Sequence, residues 1–275
     1  MPNQYTHPWI SKEIKFVCQN IKKLKYKEMG KILSRSIASI QSKVRYLPVQ
    51  QKIKKYKVNI NFFKNWSSEM VYVLRFIAAD GNVCHSGRAH VLHIASDDRD
   101  IIFKIKKVLN SKAPISAIKR ENNKISYNLR ICDREIFKDL KKLGIVERKS
   151  LVIISPKIPQ EFVRHYIRGY FDGDGSVYLR THKYPSKLRA IFYTGSFAMA
   201  KFIFGVLQKI APHFEGRIRK KRNKNNYILH LGQKASEALF NYMYKDASIF
   251  MERKFNKFIK GMDYDRSKAI KFPTA

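Results

Sequence analysis

The sequence predicts an α+β fold made by internal duplication, with a small helical domain in front of it. Three observations carry this. From Ser67 on, the order helix–strand–strand–helix–strand–strand–helix occurs once, and from Pro159 it occurs again. Both copies close on Glu-Arg-Lys, at Glu147-Arg148-Lys149 and Glu252-Arg253-Lys254. The strands alternate apolar and polar residues, the mark of an antiparallel sheet with one covered face. The first 48 residues show helical spacing only. The predicted organisation is therefore a three-helix domain over 1–48, a basic linker over 49–65, repeats over 66–158 and 159–260, and a basic tail over 261–275.

In the N-terminal domain, Trp9, Ile14, Val17 and Ile21 mark one helix face, Tyr26 to Leu33 a second helix, and Ile37, Ile40 and Val44 a third. Ser34-Arg35-Ser36 makes the turn before the third helix, an arrangement that suits a helix-turn-helix. That last helix presents Gln41, Lys43 and Arg45 on its polar side, residue types that suit a major groove and its phosphates. Lys52, Lys54, Lys55 and Lys57 make the following linker basic enough to track phosphates.

The first repeat opens at Ser67-Ser68-Glu69, a helix start, and runs through an apolar helix to Asp80-Gly81. Strands at Asn82–Cys84 and His90–Ala95, a helix from Asp100 to Leu109, a hairpin of 116–120 with 125–131, and a helix from Arg134 to Leu143 follow. The second repeat has Pro159 ahead of its first helix, which ends at Asp172-Gly173-Asp174-Gly175. Strands 176–181 and 188–193, a helix from Ala198 to Ile210, a hairpin of 216–220 with 227–231, and a helix from Ala235 to Tyr244 complete it. In the hairpins, Ile118, Tyr127, Leu129 and Ile131, and likewise Ile218, Tyr227, Leu229 and Leu231, are expected under the helices. The open face is expected to carry Lys119, Asn128 and Arg130 in the first copy. In the second it carries Arg217, Arg219, Lys221 and His230, with Ser176, Tyr178 and Arg180 on the preceding strand.

Two helices that each end in Asp-Gly pose an electrostatic problem, because a helix C-terminus already carries partial negative charge. If the helices pack side by side, Asp80 and Asp174 meet there, and a cation relieves the conflict. Hard oxygen ligands favour Mg²⁺. Gly169 and Gly173 lie on one helix face and permit close backbone approach. The matching residues of the first helix are Arg75 and Ala79. Ala79 fits such a contact; Arg75 does not, unless it sits at the edge with its head in solvent.

Composition bounds the partner. Fifty-six lysines and arginines stand against 21 aspartates and glutamates, a formal net charge of +35. Such an excess calls for a polyanion: nucleic acid first, an anionic membrane surface second. No apolar run reaches the length of a membrane span, and no signal-peptide core precedes the helices. Three widely spaced cysteines and eight histidines form no zinc-binding pattern and suggest a reducing, intracellular setting.

Val73 to Gly81 (VLRFIAADG) and Ile167 to Gly175 (IRGYFDGDG) resemble the two signatures of single-chain LAGLIDADG homing endonucleases, with Arg75 where that family usually has glycine. Residues 9–47 resemble Myb-like tri-helical domains. The resemblance implies a monomeric, metal-dependent endonuclease that cuts both strands of a long asymmetric DNA site. It implies that Asp80 and Asp174 bind Mg²⁺, with the carbonyls of Ala79 and Gly173 assisting, and that Lys149 and Lys254 stand at the edges of the two active sites. The chain reads as a free-standing enzyme. Two alternatives remain open: an RNA-binding intron maturase and a DNA-binding regulator that does not cut.

Overall fold

The computed structural model describes residues 7–21, 23–47, 56–86, 89–145, 158–180, 187–221 and 226–269. The chain divides into two compact units, Met1–Lys55 and Tyr56–Ala275.

The first unit contains helices α1 (Ser11–Asn20), α2 (Tyr26–Ile32) and α3 (Ile37–Tyr46). Each start is capped by a side chain. Glu13 accepts from the Ile10 N–H at 3.0 Å, Glu28 from the Lys25 N–H at 2.7 Å, and the Ser36 hydroxyl from the Ser39 N–H at 3.1 Å. Val17, Met29, Ile40 and Leu47 form a small core, with Trp9, Ile14 and Ile21 against it. Arg35, in the turn before α3, donates to both carboxylate oxygens of Glu13 at 2.8 and 2.9 Å and lies 4.2 Å over the Trp9 ring. It ties the turn to α1 and to the residues before it.

The second unit contains the duplicated fold. Its first repeat runs α4 (Ser68–Asp80), β1 (Gly81–Ser86), β2 (Ala89–Ser96), α5 (Arg99–Val108), β3 (Ile115–Lys119), β4 (Ile125–Cys132) and α6 (Arg134–Lys142). The second runs α7 (Val163–Asp174), β5 (Ser176–Arg180), β6 (Lys187–Thr194), α8 (Phe197–Ile210), β7 (Ile218–Lys220), β8 (Tyr227–Leu231) and α9 (Gln233–Tyr244), followed by α10 (Glu252–Ala269). The sheets have the same strand order, β1-β2-β4-β3 and β5-β6-β8-β7, and every pairing is antiparallel. One apolar core runs through both repeats, from Phe63 and α4 to Phe258 of α10. Among the described residues no helix is long and apolar enough to cross a membrane.

The helices α4 and α7 form the seam between the repeats and run parallel. A methyl group on Gly169 would lie 2.5 Å from the Tyr72 carbonyl oxygen, and one on Gly173 would collide with the Ala79 side chain. Hence Gly169 faces Tyr72 and Arg75, and one turn on Gly173 faces Ala79. The C-terminal ends therefore meet, each at the start of its own sheet.

Three expectations need correction. The linker is shorter than 49–65: the Asn59 N–H donates to the Leu109 carbonyl at 2.9 Å, and Phe63 is buried in the core. Residues 49–55 lie outside the described residues. The tail is not separate from 261 on, because α10 continues to Ala269 and Gly261 packs against Leu188. The β3 strand is also turned over. Ile118 pairs with Ser126 and Lys119 with Ile125, so Ile118 shares the open face with Asn128 and Arg130, and Lys119 does not. Ile118 is accordingly exposed. The loop at Arg120–Lys124, with Asn123 at φ 62°, sets this register, and a one-residue difference in loop length reverses every side chain on the strand.

Candidate active site and nucleic-acid interface

The site is built from the last turns of α4 and α7. Carbonyls in the final turn of a helix have no partner within it, so two parallel helix ends bring unsatisfied oxygens and partial negative charge together. Asp80 and Asp174 are the terminal residues of these helices. The Asp80 Oδ2 lies 3.8 Å from the position of a methyl on Gly173, so this carboxylate sits against the end of α7, one residue from Asp174. Ala79 and Gly173 are in mutual contact there.

Arg75 departs from its expected place. It is buried, not at the edge with its head in solvent. Gly169 leaves room for its Cβ, its guanidinium lies 3.7 Å over the Tyr170 ring, and Nη2 is 3.8 Å from Asp174 Oδ2. One glycine on one helix is enough to admit the arginine.

Lys254 lies against the end of α7, and is 5% exposed. Its ammonium donates to the carbonyls of Phe171 at 2.7 Å, Asp172 at 2.6 Å and Gly175 at 2.6 Å, with Gly173 at 3.5 Å. Burial lowers its pKa from 10.5 to about 8, against the pull of Asp172 and, further off, of Asp80 and Asp174. A cation at this helix end offsets the dipole that the second acid aggravates. Lys149 lies outside the described residues.

Beneath the acids runs a polar network that sequence reasoning missed. His165, Arg168 and Asp172 fall on one face of α7, all buried. Asp172 accepts from the Tyr72 hydroxyl at 2.8 Å, the Tyr244 hydroxyl at 3.1 Å and the Met251 N–H at 2.8 Å. Burial pushes its pKa up, and these donors partly offset the shift. Arg168 donates to the carbonyls of Ile249 at 2.9 Å and Met243 at 2.8 Å, and lies 2.7 Å from His165 Nδ1. The signal was the spacing of three polar residues at helical period within an otherwise apolar helix.

The open sheet faces lie beyond the acids. On the second sheet the register places Ser176 beside Ile191, Tyr178 beside Arg189, Arg180 beside Lys187 and Ile191 beside His230. Ser176, Tyr178, Arg180 and His230 thus share one face with Lys187, Arg189 and Tyr193, three residues that strand periodicity alone did not single out. Arg219 pairs with Ile228 and joins that face. Arg217 and Lys221, just outside the strand, are exposed. Burial and the charges of Arg219 and Arg189 depress the His230 pKa. A cavity of about 570 Å³ lined by Lys187, Arg189, His230 and Lys234 opens at this side. On the first sheet Asn82, His93 and Arg130 line up across the strands. His93 Nε2 is 2.9 Å from Asn128 Oδ1, and Asn128 is itself buried. In the other unit, Gln41, Lys43 and Arg45 are at least partly exposed on α3.

A duplicated α+β unit, with one acid per repeat at the junction and an open sheet on each side, defines the class of fold. Residues 68–144 and 161–241 match the family described as LAGLIDADG-like domain, and the chain belongs to that family. Among solved structures it is similar to the homing endonuclease I-WcaI bound to its DNA recognition sequence. The TM-score is 0.51 and the identity 16%, over 71% of this chain and 90% of that one. It is also similar to the LAGLIDADG meganuclease I-CpaMI bound to uncleaved DNA, with TM-score 0.50 and 11% identity over 74% of this chain and 93% of that one. At these identities the likeness is one of fold. Among curated proteins, a stretch of 107 residues is 29% identical to part of an A-type ATP synthase component, its B polypeptide, from Methanopyrus kandleri. That match covers 39% of this chain and spans a tenth of the length of the relative.

Proposed function

We propose that the protein is a site-specific endonuclease that cuts both strands of a long, asymmetric DNA duplex, with divalent cations held by Asp80 and Asp174. The observation that carries this reading is the parallel packing of α4 and α7, which brings two carboxylates and two negative helix ends to one place. The donor set fits a hard dication: two carboxylates and the carbonyls of Ala79 and Gly173, all oxygen. Among the described residues no group of three His, Cys, Asp or Glu offers an alternative metal centre. Mg²⁺ held there would supply charge to a phosphodiester and lower the pKa of an attacking water.

The chain's own residues supply the rest. Asp80 and Asp174 each serve one strand. Lys254 acts through the backbone, because its donors are committed to carbonyls at the end of α7; it is a positioning residue for Asp174. Lys149 is proposed in the corresponding place of the first repeat. On the second sheet, Arg180, Arg217, Arg219 and Lys221 meet phosphates, while Ser176, Tyr178 and His230 reach base edges. On the first sheet Arg130 does the same, Asn128 holds the His93 ring from its buried position, and Lys119 acts from the margin. The three helices of the N-terminal unit act as a Myb-like helix-turn-helix, with Gln41, Lys43 and Arg45 on the duplex.

Selection of cut sites from a randomised duplex library in Mg²⁺ tests the reading. Wild type is expected to yield linear product, whereas Asp80→Asn and Asp174→Asn are expected to bind the selected duplex and fail to break both strands. Linear product from either variant at the wild-type rate would remove the roles given to these acids. The maturase alternative predicts tighter binding of structured RNA than of duplex DNA in the same assay.

A further inference from the structure

We infer that the segment 248–254 is a strap tied to both repeats, and that Asp98, Lys104 and Arg253 are positioning residues that hold the end of α7 through it. The effect on cutting rests on the reading of Asp174 as a cation ligand.

The strap joins α9 to α10, and its residues bond the two repeats in alternation. The Ser248 hydroxyl donates to Glu69, in the first turn of α4, at 2.6 Å. The next residue, Ile249, offers its carbonyl to Arg168 of α7 at 2.9 Å. Phe250 belongs to the first repeat again. Its carbonyl accepts from Lys104 of α5 at 3.1 Å, and the same ammonium lies 4.7 Å over its ring. Met251 returns to α7 and donates its N–H to Asp172 at 2.8 Å.

Glu252-Arg253-Lys254, the group that the sequence places at the close of the repeat, ends the strap in the same way. Glu252 accepts from Lys104 at 2.8 Å. Arg253 donates from Nε and Nη2 to both oxygens of Asp98, the residue ahead of α5, at 2.8 and 3.0 Å. A surface ion pair contributes little as a rule, but this one is a two-pronged fork beside the Lys104 pair, the geometry in which such contacts hold. The next residue is Lys254, whose ammonium is bonded to the carbonyls of Phe171, Asp172 and Gly175. Arg253 and Lys254 are adjacent in the first turn of α10, so the backbone between them is stiff. The carboxylate of Asp98 in the first repeat thereby helps to set where Lys254 meets the end of α7 in the second. Asp98, Lys104 and Arg253 act on Asp174 only through that lysine and the backbone it holds.

Amide hydrogen exchange of the full chain, without DNA or metal, reads the strap. Asp98→Asn and Arg253→Gln should each speed exchange at 173–176 about tenfold and leave 167–170, in the middle of α7, unchanged. The Gly175 N–H, bonded to the Phe171 carbonyl at 2.8 Å, is the most informative amide. The double variant should exchange no faster than either single one, because each already opens the fork. Lys104→Met should act in the same direction. On a duplex that wild type cuts in Mg²⁺, the same variants should form linear product about tenfold more slowly at saturation, with the dissociation constant within about twofold of wild type. A merely structural pair would lower the melting temperature and leave both the local exchange and this split unmoved. Unchanged exchange at 173–176, or additive effects in the double variant, overturns the inference, and faster exchange with wild-type cutting overturns the positioning role. A wild type that cuts no duplex defeats the endonuclease reading instead, and the exchange still decides the strap.

Discussion

The two motif helices share a fold and an acidic end but are held in place by different physics. In α4 the residues at 71, 74 and 78 are Val71, Leu74 and Ala78, all buried in the apolar core. Their counterparts in α7 are His165, Arg168 and Asp172, also buried but bonded to Ser68, Tyr72, Tyr244 and the backbone of 243–251. Apolar packing is non-directional and tolerates small shifts, whereas a hydrogen-bonded carboxylate fixes orientation. The second repeat therefore holds its acid by a directional network that ends in Lys254, and the first repeat holds its own by close packing. Duplication fixed the geometry of the pair and left each half free to reach it by its own chemistry.

The largest effect should come from cutting the network at its centre. Asp172→Ala leaves the Tyr72 and Tyr244 hydroxyls and the Met251 N–H without their acceptor, inside the core. The expected loss is about 3–5 kcal/mol, the range for removing one partner of a buried charged set. The matching change in the other helix, Ala78→Gly, should cost about 1 kcal/mol through helix propensity. Urea denaturation of both variants measures the contrast, and equal costs would break it.

A smaller contrast is expected between the sheets. Arg189 and Arg219 lie on the open face of the second sheet, whose neighbours include Lys187 and Arg180. The corresponding face of the first sheet presents Asn82, His93 and Arg130. Removing Arg189 and Arg219 together should reduce the slope of log affinity for duplex DNA against log salt by about 2, if each meets one phosphate. His93→Ala should leave that slope unchanged while altering base preference. A fluorescence titration at several salt concentrations tells whether the second sheet is the electrostatic half.

Much of this was legible in the sequence, and the rest has identifiable reasons for being hidden. The order of elements and the two terminal acids follow from local periodicity, which needs only neighbours in the chain. Two partners of Asp172 stand 72 and 79 residues downstream and the third, Tyr72, 100 residues upstream, so no local pattern could assign them. The burial of Lys254 is hidden for the same reason: lysine is rarely buried, and the carbonyls that hold it belong to α7. Arg75 is expected at an edge because a guanidinium normally seeks water, and the Tyr170 ring that covers it lies on the other repeat. The flipped β3 strand turns on one residue of loop length.

The smallest expected effect sharpens the same contrast through pH. His165 has Arg168 2.7 Å from Nδ1, while its Nε2 lies 3.0 Å from the Ser68 hydroxyl and accepts from the Arg164 Nε–H at 3.2 Å. Burial first, then the charges of Arg168 and Arg164, lowers its pKa from 6.5 to about 4, against a weak opposing pull from Glu69. The folded protein therefore keeps the ring neutral where the unfolded chain would protonate it. Between pH 6.5 and about 4 the unfolded state binds the extra proton, so this residue's contribution is complete above pH 6.5 and is lost as pH falls through that window. Val71, its counterpart in α4, does not titrate and brings no such dependence. His165→Gln should flatten the fall in melting temperature over this range relative to wild type, while Val71→Ala should lower the melting temperature by a similar amount at every pH. If both variants follow the wild-type pH profile, the acid-side loss originates elsewhere, and the buried carboxylates outside this network are the groups to change next.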